Sequence, residues 1–535
     1  MCGIFFYYGK NFDINYLEKQ FKKIQHRGPD NSQIKVVDFN DKKLFFGFHR
    51  LSINGLNELS NQPLFNDGIY LICNGEIFNY NELKTIYGFN EEYKTNSDCE
   101  IIIHLYNKLG IEKTLDLLDG EFAFVLYDSK IKKVFISRDQ LGIRSLFIGK
   151  KNQNIIISSE AKGIDENYDV EQFLPRTYTI LDLESNYMNS NNYFEFEKLN
   201  DNYNEEEHIN NIRNLMTKAV QKRLMSDRNI CCLLSGGLDS TIVSALVAKE
   251  MKTNTLNTYS IGMKGSVDLK YSKIAAEYLK TNHTIIELSP EEFLNAIDAT
   301  IYQIESYDVT TVRASIGNYL VSCYIRDNSK DIVVFCGDVS DEIFGSYKGF
   351  HYASSNDSFY EENMKMLKNI NYFDVLRSDK SISGAGLEAR VPFSDPELIK
   401  YVMSMNPKHK QFKNRMEKYI IRKSFEDILP KELAWRVKTA FSDGVSSEEN
   451  PSYELIQEFI NNKYTDTEYQ ERSKKYMHNT PYDKESLYYR EIFENYYPNK
   501  DNIIPYFWKQ PFMNDNEPSA WLAEKNKNKI NEITK

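Results

Sequence analysis

Up to about residue 195, the apolar residues of this chain fall in short runs broken by turn residues. Lys43-Leu44-Phe45-Phe46-Gly47-Phe48, Tyr70-Leu71-Ile72-Cys73, residues 122–127, Val134-Phe135-Ile136-Ser137 and Ile155-Ile156-Ile157 read as strands of layered antiparallel sheets. Residues 16–24 and 97–109 carry helical spacing instead. In the second of these, Ser97 with Glu100 three residues on offers an N-cap before Ile101, Ile102, Leu105 and Leu109. This part of the pattern predicts an α+β unit. Residues 194–208 are polar and acidic without apolar periodicity and read as a linker. Beyond them, strand-like runs at 230–234, 258–261 and 332–335 alternate with long helical stretches, as a parallel sheet with crossover helices requires. From about Asp374 the pattern is mainly helical, and the charged stretch 524–535 reads as a frayed end.

A chain of 535 residues exceeds one hydrophobic core, so two or more domains are expected. With 41% hydrophobic and 27% charged residues the balance is that of a globular protein. A formal net charge of −11 disfavours a nucleic-acid partner held by a general basic surface, while leaving room for small anions in a local basic pocket. The seven cysteines are odd in number, dispersed and free of C-x-x-C pairs, which argues against a disulfide framework and a zinc site. Met1-Cys2-Gly3-Ile4 lacks the layout of a signal peptide, and no apolar run is long enough to cross a bilayer. No membrane partner and a cytoplasmic location are the expectations.

The clearest chemical motif is Leu234-Ser235-Gly236-Gly237-Leu238-Asp239-Ser240, between an apolar strand and an apolar-patterned helix. A glycine-rich turn there lets backbone N–H groups approach phosphate oxygens, and the helix N-terminus adds positive potential. Ser235 and Ser240 add donors, and Asp239 is placed to hold Mg²⁺ against the phosphates. The lysine and spacing of a Walker A loop are absent. A plain strand–turn–helix corner would also use two glycines; the serines and aspartate favour phosphate. A second strand runs into Cys336-Gly337-Asp338-Val339-Ser340-Asp341-Glu342. Strand ends of one parallel sheet share an edge, so Asp239 and Asp341 are expected to meet there around Mg²⁺. The bland reading of 338–342 is an acidic helix start.

Cys2 directly follows the initiator methionine. Removal of Met1 would leave a thiol beside its own α-amine, which can serve as its base. Around it stand His26-Arg27-Gly28-Pro29-Asp30, His49-Arg50-Leu51-Ser52-Ile53-Asn54, Asn74-Gly75-Glu76-Ile77-Phe78-Asn79, Ser97-Asp98-Cys99-Glu100 and Arg138-Asp139-Gln140-Leu141-Gly142. In this order they resemble class II glutamine amidotransferases over the first 200 residues. The resemblance implies an Ntn-type glutaminase with Cys2 as nucleophile and Asn74 and Gly75 as oxyanion donors. Glutamine would be bound by Arg50, Leu51, Ser52, Ile53, Asn54, Asn74, Gly75, Glu76 and Asp98. The Arg50 fork suits the α-carboxylate, and Glu76 and Asp98 suit the α-ammonium.

The glycine loop resembles the pyrophosphate loop of ATP pyrophosphatases. The segments 305–315, 386–393 (Gly386-Leu387-Glu388-Ala389-Arg390-Val391-Pro392-Phe393), Trp435-Arg436-Val437-Lys438 and 488–493 are similar to asparagine synthetases. The resemblance spans nearly the whole chain and implies a glutaminase at 1–200 and an ATP-using synthetase at 205–535. Glutamine, aspartate and ATP would be the substrates, β-aspartyl-AMP the intermediate, and an internal passage would carry ammonia. A homodimer is compatible with it. ATP contacts are expected from Leu234, Ser235, Gly236, Gly237, Asp239, Ser240, Ile261, Cys336 and Gly337. Aspartate contacts are expected from Thr310, Thr311, Arg313, Lys380 and Arg390. Lys438 would neutralise phosphate charge. Asp338 stands where the family carries glutamate, and Val339 where it carries glycine. The shorter carboxylate sits about 1.5 Å nearer the backbone, and a shift of about 1 Å can cost on the order of 10²-fold in rate. Valine also disfavours φ > 0. Two alternatives remain: a relative acting on another carboxylate, such as the β-lactam-forming enzymes, and a weakly catalytic nucleotide- or glutamine-binding homologue.

Overall fold

The computed structural model describes residues 1–196, 203–251, 255–413, 415–447 and 449–513. Part of the expected linker and the charged stretch 524–535 lie outside the described residues. Two six-stranded antiparallel sheets form the N-terminal part. One orders Asp169–Gln172, Phe147–Lys151, Asn154–Ser158, Gly3–Gly9, Lys42–Arg50 and Asn31–Phe39. The other orders Tyr187–Asn192, Thr177–Asp182, Lys133–Arg138, Gly120–Asp128, Ile69–Ile77 and Leu64–Asn66. Strand period sorts Gly3–Gly9 onto two buried faces. Ile4, Phe6 and Tyr8 meet Ile72, Val125 and Ile136 between the sheets. Phe5 and Tyr7 turn outward onto a core shared with Ile304, Tyr307 and Ile382. Both faces are covered, which is why these strands read as apolar runs. Helix Ile101–Leu109 covers the far sheet.

Helix boundaries differ from the sequence reading at two caps. Ser97 makes no capping hydrogen bond; the Glu100 carboxylate instead accepts from the Lys94 and Thr95 N–H groups at 2.8 Å each. The end of the expected linker is already helical. Asn204 and Glu207 close a capping box on helix Glu205–Lys222, because a side-chain acceptor and an N3 glutamate satisfy two free N–H donors at once.

The second part contains a five-stranded sheet in the order Asn282–Leu288, Asn257–Met263, Asn229–Leu233, Asp331–Phe335, Glu388–Arg390, every pair parallel. In chain order this is 3-2-1-4-5. The order therefore reverses between Asn229–Leu233 and Asp331–Phe335, and a crevice opens at that reversal beyond the carboxyl ends of the strands. Both motif loops leave from it. Helices, among them Val309–Asn328, Asp374–Ser383 and Lys484–Tyr496, enclose the sheet. Among the described residues no helix is long and apolar enough to cross a membrane.

The two parts meet across buried charge. Arg27, fully buried, donates to Glu160 at 3.0 Å, to Asp379 at 3.0 Å and to the Cys2 carbonyl at 3.1 Å. Arg144 reaches Glu121 at 3.0 Å and the Ala389 carbonyl at 3.0 Å. Arg223 joins Glu121 at 3.1 Å to Asp395 at 2.9 Å. Removing one cation from such a network strands buried carboxylates, at a cost of about 3–5 kcal/mol. Arg27→Met is therefore expected to lower the first midpoint of denaturant unfolding clearly. An unchanged midpoint would show that the network carries no such weight.

Candidate active site

Cys2 precedes strand Gly3–Gly9, and its backbone N–H donates to Asn74 Oδ1 at 2.8 Å. Its thiol lies 3.7 Å from the Leu51 carbonyl oxygen. Asn74 and Gly75 sit inside strand Ile69–Ile77, paired with Ala123 and Phe122, so they are not a hairpin turn. With Oδ1 engaged, Asn74 Nδ2 is a buried donor with no partner among the described residues, as an oxyanion would require. A Cβ at Gly75 would meet the Glu121 carbonyl oxygen at 2.3 Å, so no side chain fits there. Met1 is buried, its ammonium 3.4 Å from Glu388. With Met1 in place, burial pushes the Cys2 thiol up to about 11. Once Met1 is removed, the nitrogen at Asn74 Oδ1 becomes the α-amine.

The neighbouring loop is anchored from both parts of the chain. Ser52 N–H donates to Asp30 at 2.8 Å, the Ile53 carbonyl accepts from Asp227 N–H at 3.0 Å, and Asn54 Nδ2 donates to Glu76. Arg50 is engaged within its own loop. It donates to the Asn57 carbonyl and Asn61 Oδ1 at 2.8 Å each, and to the Asn54 and Gly55 carbonyls, so it shapes the loop. Glu76 and Asp98 are buried near each other. Burial raises Glu76 well above the usual carboxylate range, and Asp98 and Glu388 add to it. Burial lifts Asp98 to about 6 against the 2.7 Å hydrogen bond from Ile77 N–H.

At the second site Gly236 takes φ +71, and a Cβ there would meet the Tyr271 backbone at 2.2 Å. Ser235 and Ser240 hydroxyls lie 3.0 Å apart across the loop, and helix Leu238–Glu250 follows. Asp239 accepts from Ser340 at 2.8 Å and from Lys418 at 2.6 Å; Asp341 accepts from Lys418 and Lys438 at 2.6 Å each. One ammonium thus joins the two carboxylates expected to meet. Burial would raise Asp341, but Lys418 and Lys438 hold it well below its usual range. Two carboxylates beside a phosphate loop fit Mg²⁺, which commonly takes one or two carboxylates plus substrate phosphates. Asp338 receives Arg377 at 2.7 Å. Val339 does adopt the left-handed turn, φ +76, with its side chain fully buried and its N–H 3.2 Å from Asp374. The valine therefore stores backbone strain of about 1–3 kcal/mol.

Ser235, Gly237, Asp239, Ser240, Cys336, Gly337, Asp338, Asp341, Lys438 and Thr310 line one pocket. Leu234 and Ile261 lie around a smaller cavity behind it. The expected aspartate cations do not join them. Arg313 is paired with Glu485 at 2.7 Å, and Lys380 is fully buried against Glu305. Arg390 is buried between Glu388, at 3.0 Å, and Glu76, at 3.7 Å. Each cation is paired with a buried carboxylate. Thr311 is used as well, donating to the cap residue Asp308 at 2.7 Å. Sequence reasoning missed Lys418, Asp374 and Arg377. Lys418 belongs to no motif, whereas the i, i+3 pair Asp374–Arg377 opens helix Asp374–Ser383 and was visible as a charged first turn.

Family matches follow the same division. The glutamine amidotransferase domain family matches residues 1–203, and the asparagine synthase family matches 211–365 and 354–522. The class is thus an amidotransferase domain joined to a synthase domain. Glutamine-hydrolysing asparagine synthetase of Rattus norvegicus is 39% identical over 97% of this chain and 98% of the rat protein. That of Homo sapiens is 38% identical over the same shares, and that of Gallus gallus 39% over 99% of this chain and all of its own length. The chain belongs to the glutamine-hydrolysing asparagine synthetases.

Asp98 sets a pH limit on the first site. Burial pushes its carboxyl up to about 6, above a free aspartate, so its charge is favoured above that pH and disfavoured below it. We expect kcat/KM for glutamine hydrolysis to fall as pH drops through about 6, and Asp98→Asn to remove that limb while lowering kcat/KM throughout. A limb persisting unchanged in the variant would assign it to another group.

Proposed function

We propose that residues 1–200 hydrolyse glutamine and residues 205–535 use the released ammonia to convert aspartate to asparagine at the expense of ATP. One observation carries this reading: Lys418 joins Asp239 and Asp341 beside the Ser235–Ser240 loop, while the Cys2–Asn74 pair lies in the other part of the chain. In the first part, the α-amine freed by loss of Met1 takes the thiol proton and Cys2 attacks the glutamine amide carbon. Asn74 Nδ2 and Gly75 stabilise the oxyanion, ammonia leaves, and water releases glutamate. Glu76 and Asp98 receive the glutamine ammonium, and the Arg50-shaped loop receives its carboxylate.

In the second part, the glycine loop and the start of helix Leu238–Glu250 cradle the phosphates. A β-carboxylate oxygen of aspartate bonds to the α-phosphorus and pyrophosphate leaves, with Lys438 offsetting the growing negative charge. Asp338, oriented by Arg377, faces the same pocket, as does the Thr310 hydroxyl. Ammonia then attacks the acyl carbon of β-aspartyl-AMP and AMP departs. Mg²⁺, held by Asp239 and Asp341 when bound, would screen the phosphate oxygens. A cytoplasmic homodimer without membrane partners completes the reading, and the net charge of −11 supports the absence of a nucleic-acid partner.

Two measurements test it. Protein given glutamine, aspartate and Mg-ATP should release AMP and asparagine in equal amounts; ADP as the product would rule the assignment out. Cys2→Ala should lose glutamine-dependent synthesis but retain synthesis from ammonium salts, and a retained Met1 should reproduce that loss. Undiminished use of glutamine by Cys2→Ala would remove Cys2 from the role of nucleophile.

A further inference from the structure

The cations expected to hold aspartate are paired with other carboxylates and do not line the synthetase pocket, so its amino-acid subsite is sought among the residues that do. One wall carries Asp338, Glu342, Asp374 and Arg377. Glu342 is only 3% exposed. Its Oε1 accepts the Tyr347 hydroxyl, while its Oε2 is buried and has no partner among the described residues. Asp374 is engaged at both oxygens, accepting from Arg377 at 2.6 Å and from Val339 N–H at 3.2 Å. Asp338 shares the same guanidinium at 2.7 Å. Arg377 thus serves two of these carboxylates, Asp338 and Asp374, and makes no bond to Glu342. Lys418 and Lys438 are committed to Asp239 and Asp341 on the phosphate side.

A buried carboxylate oxygen without a donor costs free energy unless something supplies one. The phosphates of ATP and aspartate's own carboxylates are acceptors and cannot do so. The α-ammonium of an amino acid can, with three donors and a positive charge. We propose that Glu342 Oε2, flanked by Asp374, binds the α-ammonium of the acceptor aspartate and makes the site selective for an α-amino dicarboxylic acid over a plain one. This rests on the reading of the pocket as the aspartate-activating site. Sequence alone offered Glu342 as one acidic residue in a turn; its orphaned oxygen and its proximity to the 374–377 turn belong to the fold.

Succinate, which is aspartate without its amine, separates ammonium recognition from any general damage. Aspartate-dependent pyrophosphate release would be measured in the full chain with succinate as a competitor, in Glu342→Gln and in Asp374→Asn. Loss of a charge-assisted contact should raise KM for aspartate roughly tenfold or more in Glu342→Gln, with the Ki of succinate changed by less than about threefold. Asp374→Asn should shift KM in the same direction by less. Glutamine hydrolysis at Cys2 reports whether each variant folds. Equal weakening of aspartate and succinate, or an unchanged aspartate KM in both variants, would overturn the proposal. Absence of aspartate-dependent pyrophosphate release from the unmodified protein would instead overturn the functional reading beneath it.

Discussion

The Arg27 guanidinium is surrounded by Glu160 of its own domain, Asp379 of the other and the carbonyl of Cys2. Its five N–H donors, fixed in one plane, can satisfy all three only if the two parts of the chain sit in one relative position. Burial makes such a contact a weak source of net stability but a severe penalty when misaligned. Arg144 and Arg223 repeat the arrangement around Glu121 and Asp395. The seam therefore acts as a register between two sites whose chemistries must meet. Met1 lies in this same seam, buried with its ammonium 3.4 Å from Glu388.

Two short strands transmit that register. Asp227 N–H, just before Asn229–Leu233, holds the Ile53 carbonyl of the glutamine loop, and the same strand ends at Ser235 and the phosphate loop. A five-residue strand spans about 17 Å. Glu388–Arg390, on the far side of Asp331–Phe335, does the same. The Arg390 side chain approaches Glu76, while its carbonyl accepts Cys336 N–H at 3.1 Å, two residues before Asp338. The arginine read from sequence as a substrate ligand is thereby placed between the two sites.

Charge is arranged differently in the two pockets. Around Asp239 and Asp341 two ammonium groups balance two carboxylates, which suits a place where phosphate charge arrives and leaves. Around Glu76 and Asp98, and again around Glu342 and Asp374, carboxylates exceed cations, and burial pushes Glu76, Asp98 and Glu342 up. Both acidic surpluses face pockets proposed to accept an amino acid, one for the donor and one for the acceptor.

The linear pattern determined much of this. Period-2 and period-3.6 spacing located the strands and helices, the glycine loop marked a candidate phosphate site, and the motifs around Cys2 pointed to the amidotransferase family that matches residues 1–203. These features are local: their geometry depends on neighbours in sequence, so residue type and spacing encode it. Direction of the long charged side chains is not local. Arg313, Lys380 and Arg390 were plausible ligands until packing supplied Glu485, Glu305 and Glu388 as closer, buried partners. Lys418 lies in no motif and acquires its place only because two strand ends converge on it. Long flexible side chains take the charge nearest in space, and only the tertiary fold decides which charge that is.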